Sequence, residues 1–292
     1  MLDQPNDLGF VPVTTPAPKV LTQDQIAAYN REGYVTGLGA FTAEAAHAAR
    51  GYFDGLLAAR AGDGYALNCY QARAAGIWDL CTHPRILDHV EDIVGPNVIC
   101  WASHFFCKMP GDPKAVPWHQ DAAYWSLSPA RTVTVWLAID DTDAGNAAMQ
   151  FIPRTHDRGP LEWRKPAESN TVLDREIVGW ETMGAPVINA LEAGQMSLHA
   201  DMLAHGSDAN QSDRRRCGLT IRYCPPEVRM TDETWAQGIE AIICRGSDPS
   251  GYWRHHARPT GDDVSPENSP RNLGGNCQAP RIFVDFAEEG GR

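Results

Sequence analysis

The stretch NVICWASHFFCKM, residues 97–109, marks a change in the pattern of the sequence. Before it, apolar residues recur at helical spacing. After it, short apolar or alternating runs are separated by Gly, Pro, Asp and Asn, which is typical of strands in an antiparallel sandwich or barrel. The sequence therefore predicts a helical layer over about residues 21–96, followed by a β core over about residues 97–226.

Three amphipathic helices are predicted in the first half of the chain. The first lies in LTQDQIAAYNREGY, where Thr22 and Gln25 have the spacing of a capping box. The second lies in FTAEAAHAARGYFDGLLAAR, and the third lies in HPRILDHVEDIVG and ends at Gly95. We expect these helices to form one layer against the β core.

The β core is predicted from short runs, which besides the opening stretch are TVTVWLAID, AAMQFIP, APVINAL, MSLHA and GLTIRYC. Residues 154–182 are polar and indicate a loop inserted between strands. Residues 1–20 predict an arm, and residues 227–292 predict an extension too rich in turn-forming residues for further core strands. We therefore expect a mainly β fold with α-helices, a double-stranded β-helix of the jelly-roll or cupin-like kind, as a single domain over residues 21–292.

Composition limits the classes of function. The chain has 292 residues, 43% of them apolar, and a formal charge of −12. Its longest basic run is the three arginines at 214–216, which argues against a nucleic-acid partner. No export signal or membrane-spanning stretch is recognisable, so we expect no membrane partner and a cytoplasmic location. The eight cysteines contain no CxxC pair and are predicted to be reduced.

The stretch VPWHQDAAYW, residues 116–125, places His119 and Asp121 two positions apart. On a β-strand such residues point to the same face, so both side chains can reach one bound atom. Taken alone, the pair fits metal ligands, an acid–base pair or polar residues on a strand surface.

Two later residues favour the metal interpretation. His205 is followed by Gly and Ser at a turn, and Arg216 lies on the next predicted strand. Two histidines and one carboxylate on one face of Fe(II) leave three positions open for a cosubstrate and O2. A site that uses 2-oxoglutarate also needs a cation beyond the metal for the distal carboxylate, and the fork of arginine suits that task.

These segments resemble one known family. The runs CWASHFFCKMPGDPKAVPWHQDAAYW, TVTVWLAIDDTDAGNAAMQFIPRTH and MSLHADMLAHGSDANQSDRRRCGLTIRY are similar to the phytanoyl-CoA dioxygenase (PhyH) family of Fe(II)/2-oxoglutarate oxygenases, over about residues 24–226. The resemblance implies that His119, Asp121 and His205 bind iron and that Arg216 binds 2-oxoglutarate. It also implies that Trp125 packs on the cosubstrate, although this residue fits the core equally well.

The chain departs from the family pattern in one place that does not involve these ligands. It has DAGNAAMQFIPRTH where relatives usually have E-N-G and P-G-S-H. Halogenating members of the family have alanine at the position of the ligand carboxylate. Because Asp121 fills that position, the resemblance implies hydroxylation rather than halogenation.

Further residues are candidates for the substrate pocket. Arg222 shares strand parity with Arg216, so both are expected to face the interior, where a second cation pairs with either a protein carboxylate or an anionic substrate. His199 and Asp201 form a second HxD pair, but the histidines that could complete a second site, His255 and His256, lie in a proline-flanked loop with no arginine on a following strand. His199 is therefore expected at the pocket wall or behind the ligands. Candidates for the pocket mouth come from LNCYQAR and SHFFCKM: Asn68, Tyr70, Gln71, Arg73, His104 and Phe106.

The sequence therefore predicts a dioxygenase that uses Fe(II), 2-oxoglutarate and O2 to hydroxylate a small anionic or zwitterionic molecule. Two alternatives remain open at this point. One is a cupin-like enzyme that uses Zn²⁺ or Mn²⁺ for hydrolysis or isomerisation, for which Arg216 would have no use. The other is a ligand-binding sandwich without catalysis, in which the complete ligand set would be coincidental.

Overall fold

The computed structural model describes residues 6–267. The start of the predicted arm, Cys277 and the end of the predicted extension lie outside these residues. The helices are α1 (Gln23–Glu32), α2 (Ala43–Ala59), α3 (Ala75–Cys81), α4 (Pro84–Val94) and α5 (Glu233–Ala236). The strands are β1 (Tyr34–Gly39), β2 (Val98–Lys108), β3 (Val116–His119), β4 (Leu127–Ser128), β5 (Val133–Ala138), β6 (Gln150–Phe151), β7 (Trp163–Arg164), β8 (Glu176–Ile177), β9 (Val187–Ile188), β10 (Gln195–Ala200), β11 (His205–Ser207), β12 (Arg216–Cys224), β13 (Arg229–Met230) and β14 (Ile242–Arg245).

The ends of α1 follow from its sequence. The Thr22 hydroxyl accepts the Gln25 amide at 3.1 Å, and the Gln25 side chain accepts the Thr22 amide at 2.8 Å, so the predicted capping box is confirmed. Gly33 ends the helix with φ of +87°, and a Cβ at this position would lie 2.7 Å from the His156 ring. Only glycine fits both conditions.

Two antiparallel sheets form the β core. The large sheet has the order β1-β10-β5-β12-β2-β14, and the small sheet has the order β3-β11-β6-β9. The expected jelly-roll fold is confirmed, and buried apolar residues from each of α1 to α4 belong to one cluster with those of the large sheet. Within the described residues no helix is long and apolar enough to cross a membrane.

Strand parity separates the two faces of the large sheet. On β12, Cys217, Leu219 and Ile221 belong to the apolar cluster shared with the helices, whereas Arg216 and Arg222 line a cavity on the other face. The central strands β5 and β10 alternate in the same way, with apolar residues toward the helices. The sheet thus presents its polar residues to the interior between the two sheets.

Two strands extend the large sheet beyond the predicted core. β1 lies in the half predicted to be helical and pairs with β10. β14 lies in the extension that was predicted to add no core strand, and it pairs with the outer edge of β2, with Ile242 fully buried. Both predictions were wrong because pairing with an open sheet edge, rather than local composition, decides the structure of such short segments.

The predicted insertion at residues 154–182 contains only the short hairpin β7–β8 and one turn of 3-10 helix.

The prediction of reduced cysteines holds for Cys81, Cys100, Cys107, Cys217, Cys224 and Cys244, which are free thiols. It was wrong for Cys69, which is disulfide-bonded.

Candidate metal centre and cosubstrate site

Two histidines face each other across neighbouring strands of the small sheet. His119 ends β3, His205 begins β11, and their ring centroids are 4.1 Å apart. Both rings are oriented by a backbone carbonyl two residues earlier. Nδ1 of His119 lies 2.9 Å from the Pro117 carbonyl oxygen, and Nδ1 of His205 lies 2.9 Å from the Leu203 carbonyl oxygen. Because Nδ1 donates to a carbonyl oxygen, Nε2 keeps its lone pair for a metal ion.

Asp121 completes the set with one of its two oxygens. Its Oδ1 lies 3.6 Å from Nε2 of His119 and 3.9 Å from Nε2 of His205. Its Oδ2 accepts the Thr134 hydroxyl at 3.1 Å and lies 3.8 Å from Nε2 of His199. The carboxylate therefore offers a single oxygen to the position that the two histidines share.

The candidate ligand atoms of His119, Asp121 and His205 all lie within 4.8 Å of one another. All three residues are buried, which keeps competing water away. Two imidazole nitrogens and one carboxylate oxygen on one side of an ion are the ligands of non-haem Fe(II) oxygenases. The donor set thus fits Fe(II).

The protonation states also suit a cation. Burial alone would raise the pKa of the Asp121 carboxyl, but the rings of His119 and His199 and the charge of Arg222 hold that pKa well below its usual value. Burial and the nearby His119 lower the pKa of His205 well below its usual value. At neutral pH the site therefore combines an ionised carboxylate with an unprotonated His205.

Asp121 does not lie on the strand that carries His119. β3 ends at His119, and Asp121 begins a 3-10 turn that runs to Tyr124. Gln120 between them stays extended, so the two side chains still point the same way, as the spacing predicts. The Gln120 side chain donates to the carbonyls of Gly159 and Met202 and accepts the amide of Leu161. The sequence analysis missed this anchor.

A cavity of about 600 Å³ lies between the two sheets and contains the candidate ligands. Its walls are mainly apolar and aromatic, and they include Phe106, Val116, Tyr124, Met149 and Leu173. Polar groups placed in apolar walls of this kind fix the orientation of a bound small molecule. The polar groups here are the three candidate metal ligands, His199, two arginines and the hydroxyls of Thr134, Ser207 and Thr220.

Arg216 lies on the first residue of β12 and is only 2% exposed. Its Nε donates to the Ala147 carbonyl and its Nη2 donates to the Ser207 hydroxyl, both at 2.9 Å. The guanidinium carbon lies 5.7 Å from the centre of the Trp136 ring. No carboxylate among residues 6–267 forms an ion pair with Arg216, so this buried cation calls for an anionic ligand.

Trp125 lines the cavity near Arg222 rather than near Arg216. The Arg222 guanidinium carbon is 5.1 Å from the centre of the Trp125 ring, and that ring packs edge-on against Trp101. The aromatic ring beside Arg216 is Trp136, which was not singled out in the sequence. The positions of the two tryptophans therefore do not support the expected packing of Trp125 on the cosubstrate.

The structure brings Phe106 and Arg222 to the cavity, as predicted, but not the other candidates for its mouth. Gln71 is fully buried, and its amide donates to the carbonyls of Trp101 and Glu240 while accepting the Ser103 hydroxyl. The remaining candidates that do not line the cavity are Asn68, Tyr70, Arg73 and His104. Arg73 pairs with Glu240, and Nε2 of His104 contacts the Tyr65 carbonyl. Asn68, Tyr70, Gln71 and Arg73 lie in a loop, where local sequence does not show which way each side chain points, whereas His104 lies on β2.

His199 lies where it was expected, at the cavity wall beside Asp121. Among the described residues neither of its ring nitrogens has a hydrogen-bond partner, and burial lowers its pKa. Asp201, the other half of this HxD pair, lies away from the cavity and accepts the Thr132 amide at 3.0 Å. The second pair is therefore not a second metal site.

The residues that the sequence analysis missed carried a parity signal. Thr134 and Trp136 alternate on β5 with valines that face the helices, and Ser207 follows His205 by two positions on β11. Polar or bulky residues at the interior positions of such strands mark the wall of a cavity.

The chain was compared with known families and proteins. A family model for phytanoyl-CoA dioxygenase (PhyH) matches residues 8–218. The chain is 26% identical over 159 residues to the peroxisomal phytanoyl-CoA dioxygenase of Bos taurus, covering 52% of this chain and 47% of that protein. It is 26% identical over 160 residues to the L-proline trans-4-hydroxylase of Streptomyces griseoviridis, covering 48% of this chain and 59% of that protein. The chain thus spans about half the length of the curated relatives it matches.

Solved structures give a match over more of the chain. The non-heme monooxygenase ThoJ in its apo form superposes with a TM-score of 0.69 and 28% sequence identity, covering 85% of this chain and 93% of that chain. The region matched by the family model contains the HxD pair, His205 and Arg216. The resemblance seen in the sequence is confirmed: the chain belongs to the phytanoyl-CoA dioxygenase (PhyH) family.

Proposed function

We propose that the protein is an Fe(II)- and 2-oxoglutarate-dependent dioxygenase that hydroxylates a small anionic or zwitterionic molecule and releases succinate and CO2. Candidate substrates are an amino acid, a phosphonate or a natural-product intermediate. The observation that carries the proposal is the position, in one cavity, of three convergent candidate ligand atoms and a buried Arg216 that forms no ion pair with a carboxylate of the described residues. A metal site for hydrolysis has no need of such a cation.

The metal would be held by Nε2 of His119, Nε2 of His205 and Oδ1 of Asp121. Thr134 restrains the second oxygen of Asp121, which favours binding through one oxygen. When bound, Fe(II) chelated by 2-oxoglutarate supplies the activation of O2 that oxidises a C–H bond.

Arg216 would bind the distal carboxylate of 2-oxoglutarate. The Ala147 carbonyl and the Ser207 hydroxyl hold its Nε and Nη2, so the orientation of the fork is fixed before the cosubstrate arrives. The apolar walls of the cavity exclude water and orient the substrate C–H bond.

The substrate class rests on charge and on a relative. Two cavity arginines that form no ion pair with a carboxylate of residues 6–267 favour a negatively charged substrate. The Streptomyces relative is named for hydroxylation of L-proline, a zwitterion. A cytoplasmic location is part of the same proposal.

The test is formation of succinate by the purified protein. We expect it to require Fe(II), 2-oxoglutarate and O2 together, and to rise when a substrate from a panel of amino acids, small organic acids and alkylphosphonates is added. His205→Ala is expected to abolish it by removing a ligand, whereas His47→Ala, an exposed position in α2, is the matched control and is expected to behave as wild type.

Two results would contradict the proposal. One is succinate formation by His205→Ala at the wild-type rate with wild-type iron content. The other is Zn(II) supporting turnover of a substrate that Fe(II) does not, since zinc has no redox chemistry and would indicate a hydrolytic enzyme.

A further inference from the structure

Arg222 is a second buried cation in the same cavity. It lies on β12 six positions after Arg216, on the same face of the strand, and is 7% exposed. Its Nε is buried and has no hydrogen-bond partner among the described residues. The guanidinium carbon lies 5.1 Å from the centre of the Trp125 ring and 6.0 Å from that of the Trp101 ring.

The charge of Arg222 is not balanced by a carboxylate of the described part of the chain. No carboxylate of residues 6–267 forms an ion pair with it. Asp121 influences it electrostatically, but both oxygens of Asp121 are directed elsewhere, one toward the histidines and one toward Thr134. A buried guanidinium that is neither paired nor hydrogen-bonded is unfavourable unless a ligand completes it.

The cosubstrate does not supply that ligand. Six residues of extended strand separate the Cα atoms of Arg216 and Arg222 by about 20 Å. A five-carbon diacid anchored at Arg216 and directed to the metal ligands is far shorter than this. The guanidinium of Arg216 lies beside the Trp136 ring, whereas that of Arg222 lies beside the Trp125 and Trp101 rings. A diacid held by Arg216 and directed to the metal ligands would therefore leave Arg222 available to a second molecule.

We propose that Arg222 binds the carboxylate of the substrate, and that the substrate is a small organic acid with an apolar body. That the bound acid is a substrate rests on the proposed function, whereas binding of an acid at Arg222 does not. The terminal N–H groups of Arg222 form a planar fork that suits a carboxylate. The apolar body lies against Trp125, Phe106 and Leu173, which line the same cavity. The carboxylate thereby fixes which carbon faces the metal ligands.

The first test compares matched acids and amides on the wild-type protein, so it needs no variant. Straight-chain acids from butanoate to octanoate and 3-phenylpropanoate are each paired with the corresponding amide. Binding is measured by calorimetry and saturation-transfer NMR, on metal-free protein and on anaerobic protein loaded with Fe(II) and excess 2-oxoglutarate. We expect at least one acid to bind about tenfold or more tightly than its amide, because the amide keeps the shape but loses the charge.

The second test assigns this preference to Arg222. Arg222→Met is expected to remove the difference between acid and amide, and Arg222→Lys is expected to restore part of it. Arg229→Met, an exposed arginine on β13, is the matched control and is expected to keep the full difference. The melting temperature of each variant establishes that it is folded.

Three outcomes overturn the inference: no acid of the panel binds, amides bind as tightly as acids, or Arg222→Met keeps the preference. Its failure is separate from failure of the proposed function. If wild-type protein binds 2-oxoglutarate at iron but shows no acid preference, only the Arg222 inference fails. If acids bind through Arg222 but succinate is never formed, only the proposed function fails.

Discussion

Asp121 has two oxygens with different surroundings. Oδ1 faces two histidine nitrogens, while Oδ2 is held by Thr134 and lies near His199. The sequence showed the HxD spacing but not this division, because Thr134 and His199 come from two other strands. The ligand types were predictable from local spacing, whereas the groups that orient them depend on tertiary pairing.

Arg216 gives the first prediction at the residue scale. Arg216→Lys keeps the charge but loses the fork, so we expect the apparent requirement for 2-oxoglutarate to rise about 10- to 100-fold, as for the loss of one charge-assisted hydrogen bond. Iron content should not change. The measurement is succinate formation against 2-oxoglutarate concentration, with Arg214→Lys as control because Arg214 is exposed and pairs with Asp143. Equal effects of the two variants would refute the assignment.

Asp201 gives a prediction on pH. The pKa of its carboxyl is raised to about 7, mainly by burial and also by the negative charge of Asp121. The hydrogen bond from the Thr132 amide lowers this pKa but does not offset the rise. Between the ordinary aspartate pKa of 3.8 and the raised pKa of about 7, the folded protein binds more protons than the unfolded chain. The free energy of unfolding therefore falls as pH rises through this window.

Asp201→Asn removes this titration. For metal-free protein, we expect the variant to gain about 2–3 kcal/mol in unfolding free energy relative to wild type between pH 5 and pH 8. Urea unfolding at several pH values measures it. Parallel curves for the two proteins across this range would show that Asp201 is not protonated in the fold.

At the scale of elements, β12 organises the site. Its alternate residues face the helices and the cavity, which places both arginines in the interior. This was predictable, since six positions on an extended strand preserve the face. The added strands β1 and β14 were not predictable, because each is short and owes its structure to an open edge of β10 or β2.

Gly218 in the middle of β12 gives a prediction for this element. A Cβ at this position would lie 2.1 Å from the Trp136 ring, which lies beside Arg216. Gly218→Ala is therefore expected to displace that ring, to lower the unfolding free energy by about 1–3 kcal/mol, and to weaken 2-oxoglutarate binding. Urea unfolding and a 2-oxoglutarate titration measure the two effects.

Gly55→Ala is the matched control, because a Cβ there meets nothing within 4 Å and the residue lies inside α2. Its stability should stay the same or rise by up to about 1 kcal/mol. If Gly218→Ala binds 2-oxoglutarate as tightly as Gly55→Ala, the packing of Trp136 does not position Arg216.

At the scale of the whole molecule, the helices bury one face of the large sheet and leave the other face to the cavity. The small sheet covers that cavity and carries both candidate histidine ligands. We therefore expect this cavity to bind Fe(II) and 2-oxoglutarate together.

Anaerobic titration of the Fe(II)-loaded protein with 2-oxoglutarate, followed by visible absorbance, tests that claim most directly. Chelation of iron by the cosubstrate is expected to give a weak charge-transfer band that saturates at one equivalent per chain. Asp121→Ala is expected to lose the band together with the iron, because it removes a ligand and its charge. The account is contradicted if iron-loaded wild-type protein gives no band, or if Asp121→Ala gives the same band with the same iron content.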